Sequence, residues 1–566
     1  MPVVRLRIDK LSHLVGRRLS ADELTERLAS LGLSVEDMSD GELRVEYNPN
    51  RPDYSSSYGI ARALKAIMGV STGMPRYIPK PARITVNVDP KVGSVRPYIA
   101  CAIIRRARLG LDDLEEFIAM QEDLHWVMGR NRRVVAIGLH DLASIREPFT
   151  YSAVGPADIE FTPLKSIQEM TPQQIIREHE IGRKYGHLVS DRFPVLLDCD
   201  GRVFSMPPII NAKITELKPG IHDIFIDVTG LDETKVSQTL NILAVAFADH
   251  GGVLEKVRVV YPDGERIYPD LRPGRMLLDT GYVRSLLGLR LSTPAMRRLL
   301  AMSCMEARVS GHSRLTVWYP AYRTDILHPV DLVEEIAIAY GYSRMNPSLP
   351  KEVTYGSVLP VTEYLEKVAE IMMGMGFTEV MNLLLTNEVT EYRILDEPET
   401  PHIRLANPAT RDYTMLRTSI IPSLLRNLST NQDNPYPQRI FEAGTVVIPS
   451  EETPERAVRR RRLGAATCHA EADFTEIRKT SDELLRLLEV SVQYRPTVKP
   501  AFVQGRCAAI VWDDSTIGHL GEISPAVLSR IGLNMPTAVM ELDLDHLMAG
   551  QSIKIPRPHN TAPHHP

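Results

Sequence analysis

Four carboxylates, Asp325, Asp331, Glu334 and Glu335, crowd into the stretch YRTDILHPVDLVEEIAIAYGY at residues 322–342. On a helix, Asp331 neighbours Glu334 and Glu335 at i+3 and i+4, while Asp325 reaches in from the extended segment before it. Like charges gathered so closely repel unless a cation neutralises them, and an all-oxygen set with room for water suits Mg²⁺ better than zinc or copper. The same residues also fit a plain acidic first turn, solvated and favoured by the helix dipole.

Other residues with chemical potential are scattered. His140 beside Asp141 and His222 beside Asp223 invite a general-base reading, but no recognisable nucleophile stands next to either pair. Arg459–Arg462, reinforced by Arg456, form the strongest positive run and could meet RNA phosphates, although Glu451, Glu452 and Glu455 flank them and could simply be balanced by them. The chain contains no GxxxxGK[ST] loop, HExxH helix, GxSxG elbow or kinase signature, which removes the usual support for common nucleotide and hydrolase chemistries.

Pro329 suits a first helical turn and Ile336, Ala339 and Tyr340 continue an apolar period, predicting a helix over 329–340. Thr293 and Pro294 open a helix to about Met302, and Leu315–Tyr319 reads as a strand. FIDVTG, 225–230, reads as a strand feeding a long helix with Val236, Leu240, Leu243 and Ala246 on its apolar face. Upstream, helices are predicted near Leu111–Met128 and Pro172–Tyr185, with a strand at Val134–Leu139. The start predicts a strand at Val3–Ile8, a helix after a Ser20/Glu23 capping box, an alternating strand through Leu43, Val45 and Tyr47, the turn NPNRPD at 48–53, and a helix from Tyr58 to Met68. Past Pro350, Leu365, Val368, Ile371, Met372 and Met375 make a helical stripe, followed by an apolar strand at Val380–Leu385.

At 566 residues the chain is too long for one core, and its 43% hydrophobic and 24% charged content is that of an ordinary globular protein. Lys+Arg 66 against Asp+Glu 71 leaves no global basic field, so an RNA contact must come from local patches. Five cysteines without CxxC spacing argue against a zinc ribbon or a disulfide framework and point to a reducing cytoplasm. No apolar run reaches the length of a membrane span and the start lacks the apolar core of a signal peptide, so a soluble, uncleaved chain is expected, ending in a flexible tail, PRPHNTAPHHP.

Tyr322, Arg323, Asp325, Ile326, Asp331, Leu332, Glu334, Glu335, Gly341 and Tyr342, together with the Asn50–Arg51–Pro52–Asp53 turn, resemble the β subunits of phenylalanyl-tRNA synthetases of the archaeal and eukaryotic cytosolic type. The resemblance runs from the N-terminal turn to the strands near residue 545, with the motifs in the family's order. It implies a magnesium site at Asp325, Asp331, Glu334 and Glu335, an α subunit partner in an α2β2 heterotetramer, binding of tRNA(Phe), and ATP used by the complex. It also implies an editing site that hydrolyses tyrosine mischarged onto the tRNA, because an apolar pocket rejects one added hydroxyl only by roughly 10²-fold. The matching elements are PPIIN, 207–211, with Asn211, and FIDVTG, with Asp227 and Thr229 two residues apart and facing one side of a strand. Asp227 would hold the tyrosine hydroxyl or amino group, and Thr229 a substrate oxygen or water; alternatively the segment only caps the following helix. One departure is Ala212, where the family commonly has serine.

In the same family the α subunit activates phenylalanine and the β subunit carries a catalytically silent copy of the fold. RIFEAG, 439–444, resembles the ATP-binding strand of class II synthetases, but IGHLGEISP, 517–525, lacks the arginine of the later clamp, so no residue for phenylalanine activation is expected and Arg439 and Glu442 read as structural. The expected fold class is multidomain α+β: an N-terminal mixed domain at 1–85, an α+β editing domain at 86–265, a small winged-helix-like magnesium-binding domain at 266–345, and a class II synthetase-like antiparallel α/β domain at 346–566. Two other classes remain open on sequence: a stand-alone RNA-binding or scaffold protein, and a Mg²⁺-dependent hydrolase centred on the four acids.

Overall fold

Alternating apolar residues at Leu43, Val45 and Tyr47 put one side of a strand in a core, and in the computed structural model, which describes residues 2–39, 41–349 and 355–551, all three are buried. The strand Glu42–Glu46 is the centre of a three-stranded sheet with Val3–Arg7 and Ser34–Ser39, covered by the helices Ile8–Val15, Ala21–Ser30 and Ser57–Ile67. Ser20 caps the second of these helices, accepting from the Glu23 amide at 3.2 Å, but the Glu23 carboxylate turns to Arg17 instead of back to the cap. Only half of the expected capping box forms.

The chain divides into two compact units, Met1–Leu349 and Pro350–Pro566. The centre of the first is a ten-stranded sheet built from residues 80–268, in which the strand Ile224–Gly230 lies between Tyr98–Arg105 and Val135–Asp141, antiparallel to both. The helix Glu233–His250 packs on this sheet through Val236, Leu240, Leu243 and Ala246, and its Phe247 stacks at 3.8 Å on Phe117 of the helix Leu111–Val127. The predicted helix at 172–185 is two helices, Pro172–Glu178 and Glu180–Tyr185, because His179 is extended and its side chain caps the second. A third sheet, Gly274–Asp279, Arg314–Tyr319 and Glu306–Val309, carries the helices Thr280–Leu287, Thr293–Met302 and Pro329–Tyr340 around a core of Leu278, Leu300, Val317 and Ile336.

The second unit centres on a seven-stranded sheet, antiparallel apart from one short edge pair. Successive residues of its central strands face opposite ways: Phe441, Ala465 and Met540 join one core with the helices Pro360–Gly374 and Phe474–Leu487, while Ile440, Ala466 and Val539 join another with Ile421–Thr430 and Pro525–Ile531. The molecule is therefore multidomain α+β. The expected strand at Val380–Leu385 is corrected: Met381 and Leu383 are exposed, and only Leu385–Thr386 pairs, with Met415–Leu416. Val380 still packs on the core and its amide donates to the Phe441 carbonyl at 2.8 Å, but the chain leaves the sheet after it. Among the described residues no helix is long and apolar enough to cross a membrane, and all five cysteines are free thiols. The tail at 556–566 lies outside the described residues.

Candidate functional site

The helix Pro329–Tyr340 forms as its sequence predicts, but its acids do not gather around one point. Arg323, buried at the strand end, donates from Nε and Nη2 to both oxygens of Asp325 at 2.9 and 2.7 Å, and from Nη2 to Glu335 at 2.5 Å. Asp331 turns to the helix start and accepts from the Leu327 and His328 amides at 2.7 and 2.6 Å. Glu334 points to solvent and has neither a hydrogen bond nor an ion pair among the described residues. No group of three or more His, Cys, Asp or Glu among the described residues is placed to hold a metal ion. The four carboxylates do not meet at one point: the Arg323 guanidinium supplies the positive charge, occupying both oxygens of Asp325 and Oε1 of Glu335. Burial alone would raise the Asp325 pKa, yet the Arg323 hydrogen bond and charge hold it below the ordinary carboxylate range.

The turn NPNRPD completes this cluster. Arg51 makes a bidentate pair with Asp53 at 2.9 Å, stacks over the Tyr54 ring at 3.9 Å and approaches Glu335 at 3.8 Å. Gly59 is needed here, since a Cβ at that position would lie 1.7 Å from the Asp53 carbonyl oxygen. Arg62, paired with Asp249 at 2.7 Å, stacks over Tyr322. Arginines and acids from distant segments therefore neutralise one another around a cavity of about 20 Å³, room for a single water.

The second cluster lies in the ten-stranded sheet. Asp227 and Thr229 do share one strand face, as their spacing predicts, and both are fully buried. Asp227 Oδ2 is 2.7 Å from His140 Nε2 on the adjacent strand, and His140 Nδ1 is 2.9 Å from Thr215 Oγ1. His140 thus pairs with Asp227, eighty-seven positions away, and not with Asp141, which caps the turn at Ala143. Gly138, directly opposite Asp227, must lack a side chain: a Cβ there would sit 2.0 Å from Asp227 Oδ2 and 2.5 Å from His140 Nε2. Thr229 Oγ1 accepts from Arg96 Nε at 3.0 Å. Asn211 accepts from Ser205 Oγ at 3.0 Å and reaches toward the Leu139 carbonyl, one residue from His140. The three expected residues surround one region of the sheet, although none is hydrogen-bonded to another. Ala212 packs its methyl group with Phe161, Ile175 and Val195, and its carbonyl accepts at 3.3 Å from the Thr215 hydroxyl that meets His140.

An imidazole oriented by a carboxylate can take a proton from water. The Cys101 thiol lies across from Asp227, and burial pushes it well above its ordinary value, so it is a poor nucleophile there. Sequence reasoning missed His140 as a partner of Asp227, missed Arg96 altogether, and missed the part Arg323 plays as the cation between Asp325 and Glu335. His140 has a signal, its alternation with Gly138 on an otherwise apolar strand, whereas the arginines have none without the fold.

In the second unit, Arg439 and Glu442 lie three positions apart on one strand and so face opposite sides. Arg439 pairs with Glu476 at 2.8 Å and Glu442 with Arg417 at 2.5 Å. Arg461 and Arg462 are likewise paired, with Asp545 and Glu541, which leaves Arg459 and Arg460 as the exposed members of the basic run. His222 is exposed, and Asp223 is held by Arg105.

Residues 276–342 match the family model described as tRNA synthetase B5 domain, and 346–544 that described as Phenylalanyl tRNA synthetase beta chain CLM domain. The chain is 39% identical over 549 residues to the phenylalanine–tRNA ligase beta subunit of Archaeoglobus fulgidus, covering 96% of this chain and 98% of that one. It is 37% identical to the corresponding subunit of Methanothrix thermoacetophila, covering 96% and 100%. Among solved structures, an N-terminal fragment of the phenylalanyl-tRNA synthetase beta-subunit from Pyrococcus horikoshii is similar with a TM-score of 0.58 and 37% identity, over 60% of this chain and 99% of that one.

Proposed function

This chain belongs to the phenylalanine–tRNA ligase beta-subunit family, and on that premise we propose that it works in the cytoplasm with an alpha subunit, in an α2β2 assembly that joins phenylalanine to tRNA(Phe) at the expense of ATP. The observation that carries this is the match along nearly the whole of both chains, which leaves no large part of the relatives' length without a counterpart here. Catalysis of phenylalanine activation falls to the alpha subunit in this reading, supported by the opposed faces and separate ion pairs of Arg439 and Glu442. Mixing the two purified subunits tests it: the mixture charges tRNA(Phe) with phenylalanine and this chain alone does not, and a chain that stays monomeric beside the alpha subunit contradicts it.

We further propose that the region around Asp227, Thr229 and Asn211 hydrolyses tyrosyl-tRNA(Phe). Asp227 is the acceptor for a tyrosine hydroxyl, and His140, at 2.7 Å, orients its carboxylate. A carboxylate that accepts from the tyrosine hydroxyl discriminates, because a phenylalanyl ester offers no such donor. Phe204 and Thr215 cover the pair, so substrate entry has to displace them.

For magnesium, used by the ligase as a whole, the geometry supports a narrower role than four ligands on this chain. Asp331 and Glu334, one helical turn apart, offer two carboxylates, and the remaining ligands must come from water or from another chain.

A further inference from the structure

Beside the end of the strand Ile224–Gly230 is a cavity of about 260 Å³ lined by the guanidinium groups of Arg96 and Arg133, the His187 imidazole and an apolar wall that includes Val95, Leu188, Pro208 and Leu231. Arg96 is 4% exposed. Its guanidinium donates to Thr229 Oγ1 and to the carbonyls of Thr229, Arg132 and Arg133 at 2.8–3.3 Å, all neutral oxygens. Among the described residues no carboxylate is in ion-pair contact with it; Asp227 acts on it only through space, and burial pushes its pKa down to about 10. A buried cation without a counter-ion is costly, and an anion beside it removes that cost.

Arg133 and His187 are exposed and their side chains make no hydrogen bond or ion pair among the described residues. Arg133 is carried on a strained loop in which Arg130, Asn131 and Arg132 all adopt left-handed backbone, with φ of 47°, 55° and 67°. The loop is held there by Arg96 and by Arg132, which donates to the Ile209 carbonyl at 3.0 Å and to Glu122 at 2.7 Å. Two guanidinium groups and an exposed imidazole beside an apolar wall suit a phosphate joined to a flat ring.

We propose that this cavity binds one nucleotide of an RNA end, its phosphate on Arg133 and His187 with Arg96 behind them, and its base on the apolar wall. The assignment rests on the reading of the adjacent Asp227 region as a site for aminoacylated RNA. Calorimetric titration of the full chain with adenosine monophosphate, adenosine and inorganic phosphate tests it. The monophosphate should bind, with affinity falling at least tenfold in Arg133→Ala and in His187→Ala, while adenosine binds far more weakly. Both side chains are exposed, so neither substitution perturbs the core. No binding of the monophosphate, unchanged binding in both variants, or inorganic phosphate binding as tightly as the nucleotide overturns the assignment. Deacylation separates it from the editing reading. If the parent assembly deacylates tyrosyl-tRNA(Phe) and Arg133→Ala leaves KM unchanged, the cavity assignment fails alone. If the parent does not deacylate but nucleotide binding depends on Arg133, editing fails and the cavity assignment stands.

Discussion

Arg323 and Glu335 meet at 2.5 Å between a strand end and the buried side of the helix Pro329–Tyr340, both nearly inaccessible to water. The same guanidinium holds Asp325, so one arginine joins the helix to the segment before it. Arg323→Met leaves two buried carboxylates without their cation and should destabilise the chain by roughly 3–5 kcal/mol. Glu334→Ala, at the exposed position, should cost less than about 0.5 kcal/mol. Thermal unfolding of the two variants beside the parent checks this difference.

Asp331 caps its helix with a carboxylate that accepts two backbone amides. Asp331→Ala should therefore cost about 1 kcal/mol in the isolated chain whether or not Mg²⁺ is added. Mg²⁺-dependent stabilisation should appear only with the alpha subunit present and should weaken in the Asp331→Ala, Glu334→Ala double variant. Melting curves of the chain and of the assembly, with Mg²⁺ or with chelator, measure both effects; a strong Mg²⁺ effect on the isolated chain would show that the acids rearrange into a closed site.

Gly138→Ala drives a methyl group into the Asp227–His140 pair. It should reduce deacylation of tyrosyl-tRNA(Phe) at least tenfold while leaving phenylalanine-dependent ATP–pyrophosphate exchange by the assembly intact. Loss of both activities together would point to general misfolding instead.

In the second unit, His519 has its pKa pushed down to about 4, first by burial and then by the charge of Lys499 and Arg462 against that of Glu541. The unfolded chain takes up the proton near pH 6.5 and the folded one only near 4, so stability falls as pH drops through that window. The loss approaches about 3 kcal/mol at its largest. His519→Gln should flatten the pH dependence of unfolding between pH 6.5 and 4, measured by denaturant titration; an unchanged slope would place the sensitivity elsewhere.

Much of this arrangement is legible from local pattern. FIDVTG shows its strand because apolar residues bracket Asp227 and Thr229 at a period of two, and the helix after it shows its apolar face at Val236, Leu240 and Leu243. The carboxylates at 325–335 are equally visible, but their neutralisation is not: Arg323 stands next to them in sequence, yet only the strand-to-helix geometry aims it at Glu335 and brings in Arg51. His140 and Asp227 become partners through strand order, since 135–141 pairs with 224–230 across eighty-two intervening residues that no local signal spans. At 380–385 the pattern misleads, because an apolar run whose Met381 and Leu383 face outward has the composition of one that faces a core.

The most direct test of the account is the rate at which the purified assembly of this chain with its alpha subunit deacylates tyrosyl-tRNA(Phe). With the parent chain, hydrolysis should far exceed the spontaneous rate. With Asp227→Ala it should fall at least tenfold, while phenylalanine activation is unchanged. Equal deacylation by parent and variant would contradict the assignment of the Asp227–His140 region as the editing site.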